Sequence, residues 1–231
     1  MNIKPWFTRI SAFGLVILLS LTAFSLPAKA FRQDSATATQ NALEQLLTTN
    51  ECNGCDLSGE DLSGKDLYGS ALLGANLSGA NLSGALLNEA KLNGSNLTEA
   101  NLSYAYMLGI KLQDAILINA DLSNAKLINA KMINAKLSGA TLTGADLEYA
   151  IISDAVLSNA IAQDADFKNA NLSDSDLSSG DFSNTLMESV FLSGATLKNT
   201  NLCNADLYGA TMPDNTMYNG DVSSYEALDC P

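Results

Sequence analysis

Between residues 55 and 214 the chain repeats a five-residue unit with no insertion or deletion. The unit is usually Ala, then Asn or Asp, then Leu, then Ser or Thr, then a variable residue, as in Ala75-Asn76-Leu77-Ser78-Gly79. The Leu position is the centre of each unit. Of 32 centres from Leu57 to Met212, 24 are Leu. The others are Met107, Met132, Met187, Met212, Ile152, Phe167, Phe182 and Ala162, and none is polar. Two residues before the centre stands a small residue, Ala in 21 of 32 units, with charge only at Glu60 and Lys65. Two apolar positions separated by one polar position are strand-like, both pointing the same way. Because five is odd, the two remaining residues must turn a corner, and their Ser, Gly, Asn and Asp content suits a turn.

A helix does not fit. A five-residue step rotates an α-helix by about 500°, which spirals the leucines round it instead of lining one stripe. Dense Gly and Asn oppose it further. A short period whose units bury too little alone predicts a solenoid in which neighbours share one core.

With these residues in view, the chain resembles the pentapeptide-repeat proteins over 55–214. The resemblance implies an all-β fold, a right-handed quadrilateral parallel β-helix with four units per turn. The 32 units then make eight coils, a tower on the order of 40 Å long at about 4.8 Å per rung. Each buried Leu contributes about 1.5–3 kcal/mol before chain entropy is subtracted. Ala162 is the one undersized centre, and Phe167, the next centre in the same coil, is expected to fill the gap.

The flanks differ in character. In residues 1–30, Lys4 and Arg9 precede an apolar run from Ile10 to Leu26, and Ala28-Lys29-Ala30 follows, without acids. This reads as a secretory signal peptide cleaved after Ala30. An uncleaved anchor is the alternative, the run being nearly long enough to span a bilayer. Residues 31–54 are expected to be an N-terminal cap, helical from Ser35 to Leu47, covering an open end that otherwise exposes core and strand edges. Residues 215–231 are expected to form a small irregular or helical C-terminal cap.

Four cysteines follow the leader: Cys52, Cys55, Cys203 and Cys230. An even count in an oxidising compartment suggests two bridges, for which three pairings exist. Cys52–Cys55 and Cys203–Cys230 are the favoured pair. Cys203 follows a centre, points outward and can reach a folded-over cap, closing a loop for about 3–4 kcal/mol. The CxxC of Cys52 and Cys55 also permits a thiol redox protein, but the βαβ context of such a site is missing and Cys55 occupies an inward slot.

Losing the leader removes Lys4, Arg9 and Lys29 and no acids, so 9 basic and 25 acidic residues remain, net −16. Nucleic acid and anionic lipid are poor partners at that charge, and no stable membrane insertion is expected after cleavage. Some family members are acidic mimics of duplex DNA that bind DNA gyrase. That alternative is opposed here by the leader, by Leu instead of Phe centres, and by Lys91, Lys111 and Lys131, which recur every 20 residues.

Four-sided folding sorts the outward residues into faces. The face of Leu62, Leu82, Leu102 and Leu122 is regular: Asp61, Asn81, Asn101 and Asp121 before the centre, Ser63, Ser83, Ser103 and Ser123 after it. The next face carries Tyr68, Leu86, Tyr106, Leu108 and Ile128, and the one after it Leu73, Ile133 and Ile151; Ile116, Ile118 and Val156 fall on the fourth. Apolar residues where the repeat normally puts polar ones mark a candidate interaction surface for a protein partner, self-association included; drift in a tolerant scaffold is the competing explanation.

No catalytic, cofactor or metal site is read from the sequence. The chain has no His, which excludes Ser-His-Asp and Cys-His arrangements, and its acids sit at repeat-imposed surface spacing. The Asn-Leu-Ser/Thr triplets at Asn76, Asn81, Asn96, Asn101 and Asn171 are generated by the repeat and carry no weight as glycosylation signals. The leader, the Leu46–Cys55 lead-in and the Asp-Leu-Ser-Gly units are similar to exported family members of cyanobacteria and chloroplasts. The resemblance implies a non-enzymatic protein of the thylakoid lumen or periplasm.

Overall fold

The structure, a computed structural model, describes residues 40–227. The expected signal peptide, its cleavage after Ala30, and the first residues of the expected helix lie outside that range, as does Cys230.

One ladder runs through the described chain. The residue before each centre pairs in parallel with the residue 20 positions on, from Glu51↔Ala71 and Asp56↔Asn76 to Phe191↔Thr211. A 20-residue rung made of five-residue units has four sides. Each unit contributes one short extended segment, and its hydrogen bonds go to the neighbouring rungs: Leu77 N–H donates to Asn96 O at 2.7 Å and Asn76 N–H to Cys55 O at 2.8 Å. The corner is a β-turn closed by a bond such as Ala80 N–H to Leu77 O, 3.1 Å. Its third residue has positive φ from Gly54 to Gly209, as at Gly79 (64°) and Asn124 (57°). Gly and Asn recur there because they enter that region at least cost.

The faces are named here by their centres: face 1 from Leu57, face 2 from Leu62, face 3 from Leu67 and face 4 from Leu72, each recurring every 20 residues. All the centres are buried, and so is nearly every small position before them. Leu thus stacks on Leu and Ala on Ala, which is the core that the period predicts. The exceptions to the small apolar slot have reasons. Lys65 is exposed in the first coil, where the shaft ends. Deeper in, the hydroxyls of Ser95, Ser175, Thr185 and Thr200 each donate to a backbone carbonyl, for example Ser95 Oγ to Leu92 O at 2.7 Å. Ser70 Oγ is buried without a protein partner.

The undersized centre is handled by two aromatics instead of one. Ile161 pairs with Asp181, which stacks Ala162 over Phe182 on face 2. The Phe182 and Phe167 rings lie 5.8 Å apart, tilted by 45°, and both are fully buried. Gly180 replaces the usual Ala for the same reason: a Cβ there would sit 2.6 Å from the Phe182 ring.

The ladder begins one unit before residue 55, which corrects the expected boundary. Glu51 already pairs with Ala71, and Cys52 occupies a fully buried centre position. The period was hidden because Cys replaces Leu and Asn50 replaces Ala. A helix covers the end at residues 40–49, with Leu46 buried and Ala42 and Leu43 packed on the core. At the far end Thr211 pairs antiparallel with Met217, a short 3-10 turn spans Ser223–Tyr225, and Val222 is buried. Asn199 N–H, at the edge of the last coil, donates to Glu226 O at 2.7 Å. No helix among the described residues is long and apolar enough to cross a membrane.

Candidate functional site: the outer faces of the tower

Face 2 uses its outward side chains on itself. Asp61 Oδ1 accepts from the Ser63 hydroxyl (2.7 Å), the Ser63 N–H (3.1 Å) and the Asn81 amide one rung away (3.0 Å). Asn101 and Asp121 hold Ser103 and Ser123 in the same way. These are Asx turns: a short polar side chain caps the N–H two residues on, an N–H that the ladder leaves unpaired. The bonds have an electrostatic consequence. The Ser63 hydroxyl, then the Ser63 N–H, with Asn81 and Lys65 assisting, hold the Asp61 carboxyl below the ordinary 3.8. At Asp181 burial pushes upward, but Ser183, Gln163 and Asn201 together outweigh it and the net shift is downward. Carboxylates held ionised this way are the reverse of the raised acids that general acid catalysis uses.

Face 3 repeats these caps at Asp66, Asp146, Asp166 and Asp206 but drops them between Leu86 and Leu108. Tyr68, Leu86, Tyr106 and Leu108 stand exposed on it, Tyr106 at 51% and Leu108 at 45%. Leu86 and Tyr106 are direct ladder partners on adjacent rungs. The backbone does not suffer from the apolar replacements, because Leu108 N–H still finds an acceptor, Asn88 Oδ1 on the rung before (2.8 Å). On face 4, Leu73 is exposed while Ile133 and Ile151 are half-buried, as is Ile128 on face 3. The proposed surface residues therefore fall on two adjoining faces, with the isoleucines lying flatter than expected. Ile116 and Ile118 are also half-buried.

Several members of the surface escaped the sequence reading: Leu186 and Tyr208 on face 3 and Phe191 on face 4 are exposed, and so are two tyrosines at corners. Tyr104 and Tyr149 occupy turn positions at positive φ (58° and 59°) and are exposed. Tyr104 sits at the corner leading onto face 3, two residues before Tyr106. The signal was available in the period, since a Tyr in a slot that favours Gly or Asn is a departure of the same kind as a Leu in a polar slot. A surface groove lined by Leu46, Leu47, Thr48, Asn50, Asp66 and Tyr68 joins the N-terminal helix to the start of face 3.

Cys52 and Cys55 are joined in a disulfide with Cα atoms 5.3 Å apart. Cys52 is fully buried and its Sγ lies 3.3 Å from Ala42 O of the covering helix. Cys203 is disulfide-bonded as well, and its expected partner Cys230 lies outside the described residues. Among the described residues no group of three or more His, Cys, Asp or Glu side chains is placed to hold a metal ion.

The family described as Pentapeptide repeats matches the chain in eight copies, over residues 51–88, 80–117, 109–144, 150–188 and 190–221. No curated protein matches it. Among solved structures it is similar to HetL, a pentapeptide repeat protein involved in heterocyst differentiation regulation from the cyanobacterium Nostoc sp. strain PCC 7120. Identity there is 26% over 76% of this chain and 98% of that one, with a TM-score of 0.30. It is also similar to a pentapeptide repeat protein from the thylakoid lumen of Arabidopsis thaliana (25% identity, 62% of this chain and 68% of that one, TM-score 0.16). A third is QnrB1, a plasmid-mediated fluoroquinolone resistance protein (22% identity, 67% of this chain and 79% of that one, TM-score 0.37). At these TM-scores the fold stands on the chain's own 20-residue ladder, not on superposition.

Proposed function

This chain belongs to the pentapeptide-repeat family, and from that premise we propose that it is a non-enzymatic, exported scaffold that binds a protein through faces 3 and 4. Members of the family fold into right-handed quadrilateral β-helices, and the four-sided ladder here is of that kind. The observation that carries the proposal is the run of exposed Tyr68, Leu86, Tyr104, Tyr106 and Leu108. Apart from Tyr104, which takes a corner that favours Gly or Asn, these occupy slots that face 2 fills mostly with Asn, Asp, Ser and Thr, so the ladder does not require them. Solvated apolar side chains clustered on one side of a soluble tower are stabilised by a covering surface.

The thylakoid lumen or periplasm is the proposed compartment, supported by the sequence of residues 1–30 and by the disulfide at Cys52 and Cys55, a bond that persists where thiols oxidise. Fractionation with N-terminal sequencing tests it. A mature chain starting at Phe31 in an exported fraction is expected; an intact N-terminus in the cytoplasm sinks the localisation and favours the acidic DNA-mimic reading.

The surface is tested by Leu108→Ser with Ile128→Ser. Stability should change by no more than about 0.5 kcal/mol at exposed Leu108 and about 1 kcal/mol at half-buried Ile128, while crosslinking to the partner is lost. Unfolding of the double variant, or a partner captured equally well, overturns the proposal.

A further inference from the structure

Lys126 shows how this tower satisfies a surface lysine. Its Nζ lies 3.3 Å from Asp146 Oδ2, and Asp146 is its ladder partner, one rung on. Among the described residues Lys65, Lys136 and Lys168 form no ion pair, but only face 4 sets lysine against lysine. Lys91 pairs with Lys111, and Lys111 with Lys131, so the place of each carboxylate partner is taken by another lysine. Three ammonium groups are thereby tethered to consecutive rungs about 4.8 Å apart. Like charges directly opposite on a ladder repel, and nothing in the repeat asks for them: the same column holds Ala71 before them and Ile151 after. Among the described residues the nearby acids make no ion pair with the row. Glu89, at the corner before Lys91, folds over Gly109, and Asp114, at the far corner, accepts from the Asn134 amide. Among the described residues the ion pairs are Lys126–Asp146 and Lys198–Glu226, and none includes a lysine of this row.

We propose that Lys91, Lys111 and Lys131 receive an acidic α-helix of a partner protein, laid along the axis of the tower. The inference rests on the reading of faces 3 and 4 as a contact surface and names the chemistry of what lands there. Carboxylates at i, i+3 and i+7 of a helix rise by about 4.5 and 10.5 Å. The lysine rungs rise by about 4.8 and 9.6 Å, so the two rows stay in step within the reach of a lysine side chain. Leu108 and Ile128, just across the corner on face 3, flank the row, with Ile133 on its other side; they suit apolar residues on the adjoining stripe of such a helix. A net charge of −13, or −16 once the leader is lost, argues against an extended polyanion: a membrane or nucleic acid meets the whole acidic tower, whereas one helix meets the basic row alone.

The test uses a synthetic helical peptide with Glu at i, i+3 and i+7 and Leu on the adjoining stripe, against the same peptide with Gln for Glu. The full chain should bind the Glu peptide about tenfold more tightly, with the preference shrinking at high salt. It should vanish in Lys91→Gln/Lys111→Gln/Lys131→Gln, whose melting temperature stays unchanged or rises as repulsion is removed. Equal binding of both peptides overturns the inference without needing any variant. So does a preference that survives in the triple variant. Lysine-dependent binding to phosphatidylglycerol vesicles with no Glu preference replaces the helix by a lipid surface. The contact-surface reading is scored apart, by loss of the crosslinked partner in Leu108→Ser/Ile128→Ser. Either result can fail while the other holds.

Discussion

Face 2 and face 3 are built on the same backbone, ladder and stack of buried apolar centres. Face 3 also keeps capping carboxylates at Asp66, Asp146, Asp166 and Asp206, yet between Leu86 and Leu108 it uses its outward side chains in the opposite way. On face 2, Asp61, Asn81, Asn101 and Asp121 turn back to cap N–H groups of their own unit. On face 3, Leu86, Tyr106 and Leu108 point away and are exposed. The backbone bonds persist on both. The difference teaches that the inward positions and the ladder carry the fold, and that the polar columns add a smaller, local contribution. Faces 3 and 4 are therefore free to carry something else.

The largest effect should come from the part that both faces share. Leu122→Lys places a charge in a fully buried stack, where nothing pairs with it, at a cost of at least about 4–5 kcal/mol. Urea unfolding should show the middle of the tower lost; a variant with an unchanged midpoint contradicts the shared core. Next comes Ala162→Leu. With Phe182 stacked on Ala162 and Phe167 against Phe182, the added methyl groups overpack the shaft, which should lower stability by about 1–3 kcal/mol. A higher melting temperature instead means that the aromatics leave a void.

A finer comparison is between two buried hydroxyls in equivalent slots. Ser70 Oγ lacks a protein partner, while Ser95 Oγ donates to Leu92 O. Ser70→Ala should therefore stabilise, and Ser95→Ala be neutral or destabilising, each by about 1 kcal/mol. Equal shifts from the two variants place a water at Ser70. The polar columns are probed by pH. The carboxyls of Asp56, Asp61 and Asp181 are depressed below 3.8. A depressed folded value means stabilisation that is full above the unfolded value and fades as pH falls through the folded one. The loss should thus appear below about pH 3.8. Asp181→Asn should make the acid limb of a thermal-melting profile shallower, and an unaltered limb removes Asp181 from the account.

Much of this was legible in residues 55–214. The period located every centre and every small slot there, because a side chain facing a shared core must be apolar each time it recurs. Faces followed once four units made a turn, so Leu86 and Tyr106 could be set on one side before any coordinate. The first unit was not legible: Cys52 takes a Leu position, and only its pairing frame shows the substitution. Tyr104 and Tyr149 were missed because a turn slot tolerates varied residues, which hides a departure that exposure then reveals.

The order of residues by itself determined a corner every five residues, an apolar shaft and an acidic exterior, because those depend on local alternation and composition. Only the tertiary structure decided that Cys52 meets the covering helix, that Phe182 stacks on Ala162, and that Lys126 reaches a carboxylate while Lys91 reaches none among the described residues. Each of those joins residues on different rungs or on the two ends of the shaft, and contacts of that kind exist only once the coils have closed on one another.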